Sequence, residues 1–500
     1  MKLTKTIYLT YRGCTHNAWV RAHRPDVYAA HPPSEFDQAL METGQDVDEL
    51  ARSLFPGGVL IERGDIDTTA ARVAARVPVL YQPVFETSRY STACDILRWN
   101  EVAGAYDMYE VKSSTSNSKK NRDELYTYDL AFQVQVLTQL NVPVGRCLIV
   151  RLRSTYEREE ELDIEQLFLV QDFTERVLAV RGAAAVDMAR AYSALTFDQQ
   201  PQAPCGCIYL GRSAHCTTFA HINPDVPAYS IHDIARIGTS RPKLVELVER
   251  SILAISDVPE DFPLTEIQRN QVRAAQSGAT AINPAAIAAF LSGATFPIAF
   301  LDYETYPCAI PRFRGYRPFD QIPFQFSLDV LHEPGGIPEH YEFLHTGLDC
   351  PDASFIAALD RCLPPDGSVA VWSAQFEKGI NDALAARNSD AAGFLASVNE
   401  RVIDLLDVFA EQSYVHPEFR GRTSIKAILP ALVPTLSYDH LAIQDGAAAC
   451  ERWNRLVTGR VEDAEQAKTI VDLLVYCGLD TRAMFEIWKV LFSANTAAQR

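Results

Sequence analysis

The pairing of Phe300-Leu301-Asp302-Tyr303-Glu304-Thr305 with the distant segment Tyr476-Cys477-Gly478-Leu479-Asp480 limits most severely the folds open to this chain. An Asp-x-Glu on a strand turns both carboxylates to one face, because side chains alternate with period two, and two carboxylates so placed share a hard divalent cation. A Tyr-x3-Asp on a helix does the same for a phenol and a third carboxylate, since positions four apart are neighbours. Carboxylates converging from distant segments are what two-metal phosphodiester cleavage requires.

At 500 residues the chain is long enough for roughly two to four domains, and 47% hydrophobic with 22% charged residues is ordinary globular usage that needs no staples. Its apolar runs, such as Phe290 to Leu301, are interrupted by Ser, Gly, Thr and Pro and fall short of a membrane span. The start, Met1 to Thr6, lacks the apolar core and small-residue cleavage site of a secretory signal, so a cytoplasmic protein without membrane attachment is expected. Eleven cysteines without a regular disulfide framework fit a reducing compartment.

The formal charge of −18 argues against a non-specific nucleic-acid coat, because phosphate binding needs Lys and Arg to displace counterions. It leaves room for a nuclease whose acidic site carries metal and whose basic strips are local. Such strips occur at Lys119-Lys120-Asn121-Arg122, at Arg312-x-Arg314-x-x-Arg317, and at Arg420-Gly421-Arg422 with Lys426. Each is equally readable as a solvated loop.

Three blocks are expected: residues 1–225 with an α/β alternation, a helical connector over 226–290, and residues 291–500, where strands return before a mostly helical end. In the first block strands are predicted at Val79 to Tyr81, Tyr106 to Val111, Cys147 to Leu152 and Gln166 to Val170. Helices are predicted at Leu130 to Leu140 and Phe173 to Ala191. In the last block strands are predicted at Ala299 to Asp302, Phe324 to Val330 and Val369 to Trp372, and a helix at Ala464 to Phe492. Neither repeats nor low-complexity tracts are present.

Within the first block, Glu110-Val111-Lys112 closes a strand and sets Glu110 and Lys112 on one face. The carboxylate can join Asp95 in holding Mg²⁺ or Mn²⁺, and the ammonium can orient water and support the attacked phosphate. A following helix carries Asp129 and Gln133 on one face, and Glu86 offers another carboxylate upstream. This order resembles the PD-(D/E)XK nucleases of the RecB-like branch, with Leu137 where that family has a Tyr after the Gln. The resemblance implies catalytic roles for Asp95, Glu110, Lys112 and Gln133, with Glu86, Asp95 and Glu110 at the metal. Cys14 near the start, with Cys205-Gly206-Cys207 and Cys216 just after the core, can hold a 4Fe-4S cluster or a zinc ion. RecB-like nucleases with an iron-sulfur staple likewise use one early cysteine and three late ones, although the Cys-x-Cys-x8-Cys spacing departs from the usual run. The other seven cysteines read as buried thiols.

The last block resembles the DEDD 3'-5' exonucleases, whose fold is RNase H-like. Asp302 and Glu304 match the first motif of that family. Val369 to Glu377 resembles the second, with Glu377 in place of the usual Asp and Ser373 in place of the customary Asn. Tyr476 and Asp480 match the third motif of the tyrosine subclass, in which the phenol positions the attacking water, and Asp404 is a supporting acid. Leu9 to Cys14, Cys207 to Phe219, Phe300 to Phe326 and His416 to Pro430 together resemble a bacterial family that joins an iron-sulfur RecB-like domain to a DEDD-like domain. That likeness implies an α/β multidomain protein of nucleic-acid processing, in repair or phage defence with a helicase or repair protein as partner, and names no substrate. The two resembled nuclease groups often work on ends, which points to a metal-dependent nuclease acting on nucleic-acid ends, single-stranded DNA foremost. Two rival functions remain: a degenerate scaffold that only grips nucleic acid, and an RNA-trimming 3'-5' exonuclease.

Overall fold

The computed structural model describes residues 1–30, 35–115, 120–202 and 204–498; the basic run at Lys119 to Arg122 lies partly outside them. The chain forms two compact α/β units, each assembled from separated segments. Met1–Ile208, Ala214–Asp225 and Cys308–Asp320 make the first; Tyr209–Ser213, Val226–Pro307 and Gln321–Arg500 make the second. Among the described residues no helix is long and apolar enough to cross a membrane.

The first unit is built on a six-stranded mixed sheet. Its strands, in spatial order, are Val59–Leu60, Val79–Tyr81, Ile96–Asn100, Ala105–Thr115, Val144–Leu152 and Phe168–Asp172. Period two divides the long Ala105–Thr115 strand: Tyr106 and Met108 join one apolar cluster with Leu130, Val134 and Leu137 of the helix Lys120–Gln139, while Tyr109 and Val111 join another with Val47, Ala51 and Phe55. Glu110 and Lys112 therefore project on the side of that helix. The strand expected from Gln166 begins later, at Phe168, because Asp163 caps a helical turn, Ile164–Leu167, by accepting from the Gln166 N–H at 3.0 Å. Arg314 and Arg317, expected as part of a basic strip, are ion-paired within this unit to Glu160 at 3.0 Å and Glu157 at 2.8 Å.

The second unit contains a five-stranded sheet in the order Glu339–Leu344, Gln321–Leu331, Ile298–Pro307, Ser368–Val371, Val402–Asp404. Each of the first three strands is antiparallel to its neighbour; the last two run parallel to Ile298–Pro307. Alternation again sorts the central strand. Ala299, Leu301 and Tyr303 face a core with Phe355, Leu359, Ile380 and Leu384. Phe300 packs edge-on against Phe485 and Trp488 of the 36-residue helix Asp463–Ala498. That helix is pinned to the neighbouring strand as well, where the Gln325 amide donates to the Leu473 carbonyl at 2.8 Å and Ser327 bonds Thr481 at 2.7 Å. Gly367 lets the fourth strand enter: its φ is +86°, and a Cβ there would run into the Pro297 carbonyl that accepts the Ser368 N–H. Residues 226–290 lie in this unit and build an apolar cluster of their own around Ile231, Leu244, Ile255 and Phe262.

Candidate functional site

The face of the Ile298–Pro307 strand that carries Phe300 also carries Asp302 and Glu304, so the packing of Phe485 and Trp488 delivers the last helix to both carboxylates. Asp302, Glu304 and Asp480 each offer an oxygen within 4.8 Å of the other two. Metal–oxygen bonds of about 2.0–2.6 Å let one ion bridge oxygens that far apart. Burial is the first cause that pushes the Asp302 carboxyl well above the ordinary range, followed by the charges of Asp480, Glu304 and Glu377. Glu304 is raised in the same way, with Lys426 opposing. Asp480 is pushed up to about 6 by burial, against a hydrogen bond from Tyr438 and the charge of Lys426. Three acids this close, two buried and Asp302 half-buried, do not all ionise unless a cation lies among them.

Around them lies a layer that sequence reading missed. Tyr438 donates its O–H to Asp480 Oδ1 at 2.6 Å. Lys426 donates to the Tyr476 phenol oxygen at 2.8 Å and to the Gln444 carbonyl at 2.8 Å, with its Nζ 4.8 Å from the Tyr476 ring centroid. Burial, then Asp480 and Glu304, push the Tyr476 phenol up, so it stays protonated. Since Tyr476 accepts from Lys426, its own O–H remains to donate. Only the basic character of the Arg420 to Lys426 stretch hinted at this from sequence.

Glu377 stands in the first turn of the helix Ala374–Arg387, 3% exposed, and its Oε2 has no hydrogen-bond partner among the described residues. Burial, with a smaller contribution from Asp404, pushes it up to about 8. It is not among the acids within 4.8 Å of one another, yet its charge reaches Asp302 and Glu304. Asp404 does not point to the carboxylates as an extra ligand. It accepts from the Ser373 and Ala374 backbone at 3.0 and 2.7 Å and from Leu406 at 3.0 Å. Those bonds hold Ser373 at φ +91°, a conformation costly for a residue with a Cβ, and so set where the Glu377 helix begins.

In the first unit the structure brings Glu110, Lys112, Gln133 and Asp129 together and adds Lys5, which the sequence did not single out. Lys112 donates to Glu110 and Asp129, each at 2.7 Å. Lys5 donates to Glu110 Oε1 at 2.7 Å and lies 3.5 Å from Asp129 Oδ1. Gln133 donates to Glu110 Oε2 at 2.7 Å and Asp129 Oδ1 at 3.0 Å. Burial would raise the Glu110 carboxyl, but Lys112 and Lys5 override it and hold it well below the usual range. Asp95 accepts from the Val111 N–H at 2.8 Å and is pushed up to about 7 by burial and by Glu110. Glu86 is placed apart, on the strand Val84–Glu86 of a different sheet, where Lys2 and Ser91 take its carboxylate. As they stand, Glu110 and Asp129 already hold two ammonium groups, and the set does not fit a divalent ion.

Cys14, Cys205, Cys207 and Cys216 bring their sulfurs within 4.8 Å of one another, with Cys14 and Cys205 at 3.5 Å. Cys14 caps the helix Thr15–His23, and the buried Asn17 one turn on accepts from the Thr218 hydroxyl at 2.8 Å, tying the Cys216 loop to that helix. Hydrogen bonds from Cys205, Cys207 and Cys216 pull the Cys14 thiol far below its ordinary value, so a thiolate is available. Four soft donors in this arrangement fit a thiophilic metal or an iron-sulfur cluster.

Residues 299–424 match the family model described as a domain of unknown function, DUF2779. That span holds Asp302, Glu304 and Glu377 and stops short of Tyr476 and Asp480. The chain is also similar to an uncharacterized protein, the MG366 homolog of Mycoplasma pneumoniae (strain ATCC 29342 / M129 / Subtype 1), at 25% identity over 212 residues. The match covers 38% of this chain and 31% of that protein, so the chain spans about a third of the curated relative's length. No solved structure matches.

Proposed function

We propose that this chain is a metal-dependent nuclease that hydrolyses phosphodiester bonds at nucleic-acid ends, single-stranded DNA foremost, with its chemistry in the second unit. The observation that carries this is the convergence of Asp302, Glu304 and Asp480 within 4.8 Å, two buried carboxylates and one half-buried, from one strand and one helix. Their environment favours taking up a divalent cation, because a cation relieves both burial and mutual repulsion. Mg²⁺ or Mn²⁺ held there would supply Lewis-acid stabilisation and an activated water. Tyr476, kept protonated and held by Lys426, has its own O–H left to donate and would orient a water there. Tyr438 holds Asp480 in place by donating to its carboxylate, and Glu377 is the fourth acid, set outside the group of three on the helix that Asp404 anchors. The strand order, with three antiparallel strands followed by two parallel ones and the first acids on the central strand, supports an RNase H-like, DEDD-type assignment.

The four-cysteine site is proposed to staple the two ends of the first unit, residues near Cys14 to those near Cys216, in a RecB-like module. A single tetrahedral ion with metal–sulfur bonds of about 2.3 Å separates its sulfurs by about 3.8 Å, and the observed spacing favours zinc on that ground. The resemblance to iron-sulfur RecB-like proteins favours a 4Fe-4S cluster. Colour and metal content of anaerobically purified protein decide between them. Function is tested with end-labelled single-stranded DNA, duplex DNA and RNA in Mg²⁺ or Mn²⁺. Shortening of single-stranded DNA from an end supports the proposal, faster shortening of RNA moves the substrate to RNA, and binding without cleavage in either ion supports a scaffold instead.

A further inference from the structure

The centre at Glu110 has donors on every carboxylate oxygen. Glu110 Oε1 takes Lys5 and Lys112, both at 2.7 Å, and Oε2 takes Gln133 at 2.7 Å. Asp129 Oδ2 takes Lys112 at 2.7 Å, and Oδ1 takes Gln133 at 3.0 Å with Lys5 at 3.5 Å. Asp95 gives Oδ2 to the Val111 N–H at 2.8 Å and Oδ1 to the Gln82 amide at 3.5 Å. A divalent cation needs carboxylate oxygens turned toward it, and here every oxygen of the set already faces at least one N–H donor. Two ammonium groups offset the charges of Glu110 and Asp129.

Lys5 is fixed there by the fold. The strand Leu3–Thr4 pairs in parallel with Tyr90 and Ser91, Thr4 caps the helix Lys5–Gly13, and Lys5 begins that helix. Its stem is carried inward while its ammonium reaches across to a strand and a helix far along the chain. We infer that the Lys5 ammonium is the resident cation of this centre, in the place where Glu110, Asp95 and Lys112 would suggest a divalent ion, and that such an ion enters only when Lys5 is removed. The first unit then contributes a closed ion-pair centre, independent of the metal chemistry proposed for the second.

The test is Mn²⁺ binding by the full chain, followed by electron paramagnetic resonance and calorimetry, in a background carrying Asp302→Asn and Asp480→Asn so that the second unit is silent. The expected result is no bound Mn²⁺ up to millimolar ion, and one bound Mn²⁺ per chain after Lys5→Ala, lost again with Glu110→Gln. Should Lys5→Ala fail to fold, Lys5→Met keeps the stem and gives the same readout, while Lys5→Arg keeps the cation and stays closed. Mn²⁺ bound in the background protein and abolished by Glu110→Gln overturns the inference. So does a folded Lys5→Met protein that gains no ion. Neither outcome depends on whether the second unit cleaves nucleic acid.

Discussion

Replacing Glu377 by Gln should stabilise the second unit, and by an amount that depends on pH. Glu377 is buried with one oxygen lacking a partner, and burial raises its proton affinity from 4.5 to about 8. Between those values the folded protein keeps a proton that the unfolded chain has released, so native stability falls as pH rises from about 4.5 through 8. The slope is about 1.4 kcal/mol per pH unit, which sums to about 3 kcal/mol by pH 7. Glutamine does not titrate and keeps the shape, so the variant should gain little near pH 4.5 and about 2–4 kcal/mol at pH 7. Urea denaturation in EDTA across this range, followed by hydrogen exchange in the Ser368–Val371 and Ile298–Pro307 strands, reads the difference. A variant with unchanged stability at pH 7, or a gain independent of pH, would refute the assignment of Glu377 as a buried acid held ready for a cation.

Lys112→Ala should destabilise the first unit by about 3–5 kcal/mol, because Glu110 and Asp129 lose a buried partner; adding Glu110→Gln should recover part of the loss in urea titrations. Cys14→Ser should remove the bound metal and lower the thermal midpoint of the first unit by an amount worth several kcal/mol, measured by elemental analysis and calorimetry. Tyr438→Phe removes the hydrogen bond that holds down the Asp480 carboxyl, now at about 6. The acid limb of the pH–rate profile should therefore move up by about one pH unit.

Local pattern made much of this legible. Glu110 with Lys112, and Asp302 with Glu304, are each two apart on a strand, and Tyr476 with Asp480 are four apart on a helix, so their shared faces follow from periodicity. The four cysteines follow from the softness of thiolates together with the resemblance to iron-sulfur RecB-like nucleases, which implies one early and three late ligands. Partners brought by tertiary packing were not legible. Lys5 meets Glu110 only because Leu3 pairs with Tyr90, Tyr438 carries no motif, and the basic strip that holds Lys426 does not say which side chain it meets. Asp404 reads from sequence as a supporting acid; its three backbone bonds make it an anchor for the helix that carries Glu377. Glu86 misled because it precedes the motif in sequence while its strand belongs to another sheet.

The account turns on the second unit's carboxylates, so the most direct measurement compares the wild type with Asp302→Asn and Asp480→Asn on end-labelled single-stranded DNA in saturating Mn²⁺. The account expects end-directed shortening by the wild type and a loss of about 100-fold or more in each variant, with both variants folded and their four-cysteine metal content intact. Cleavage that persists at the wild-type rate in either variant would contradict it.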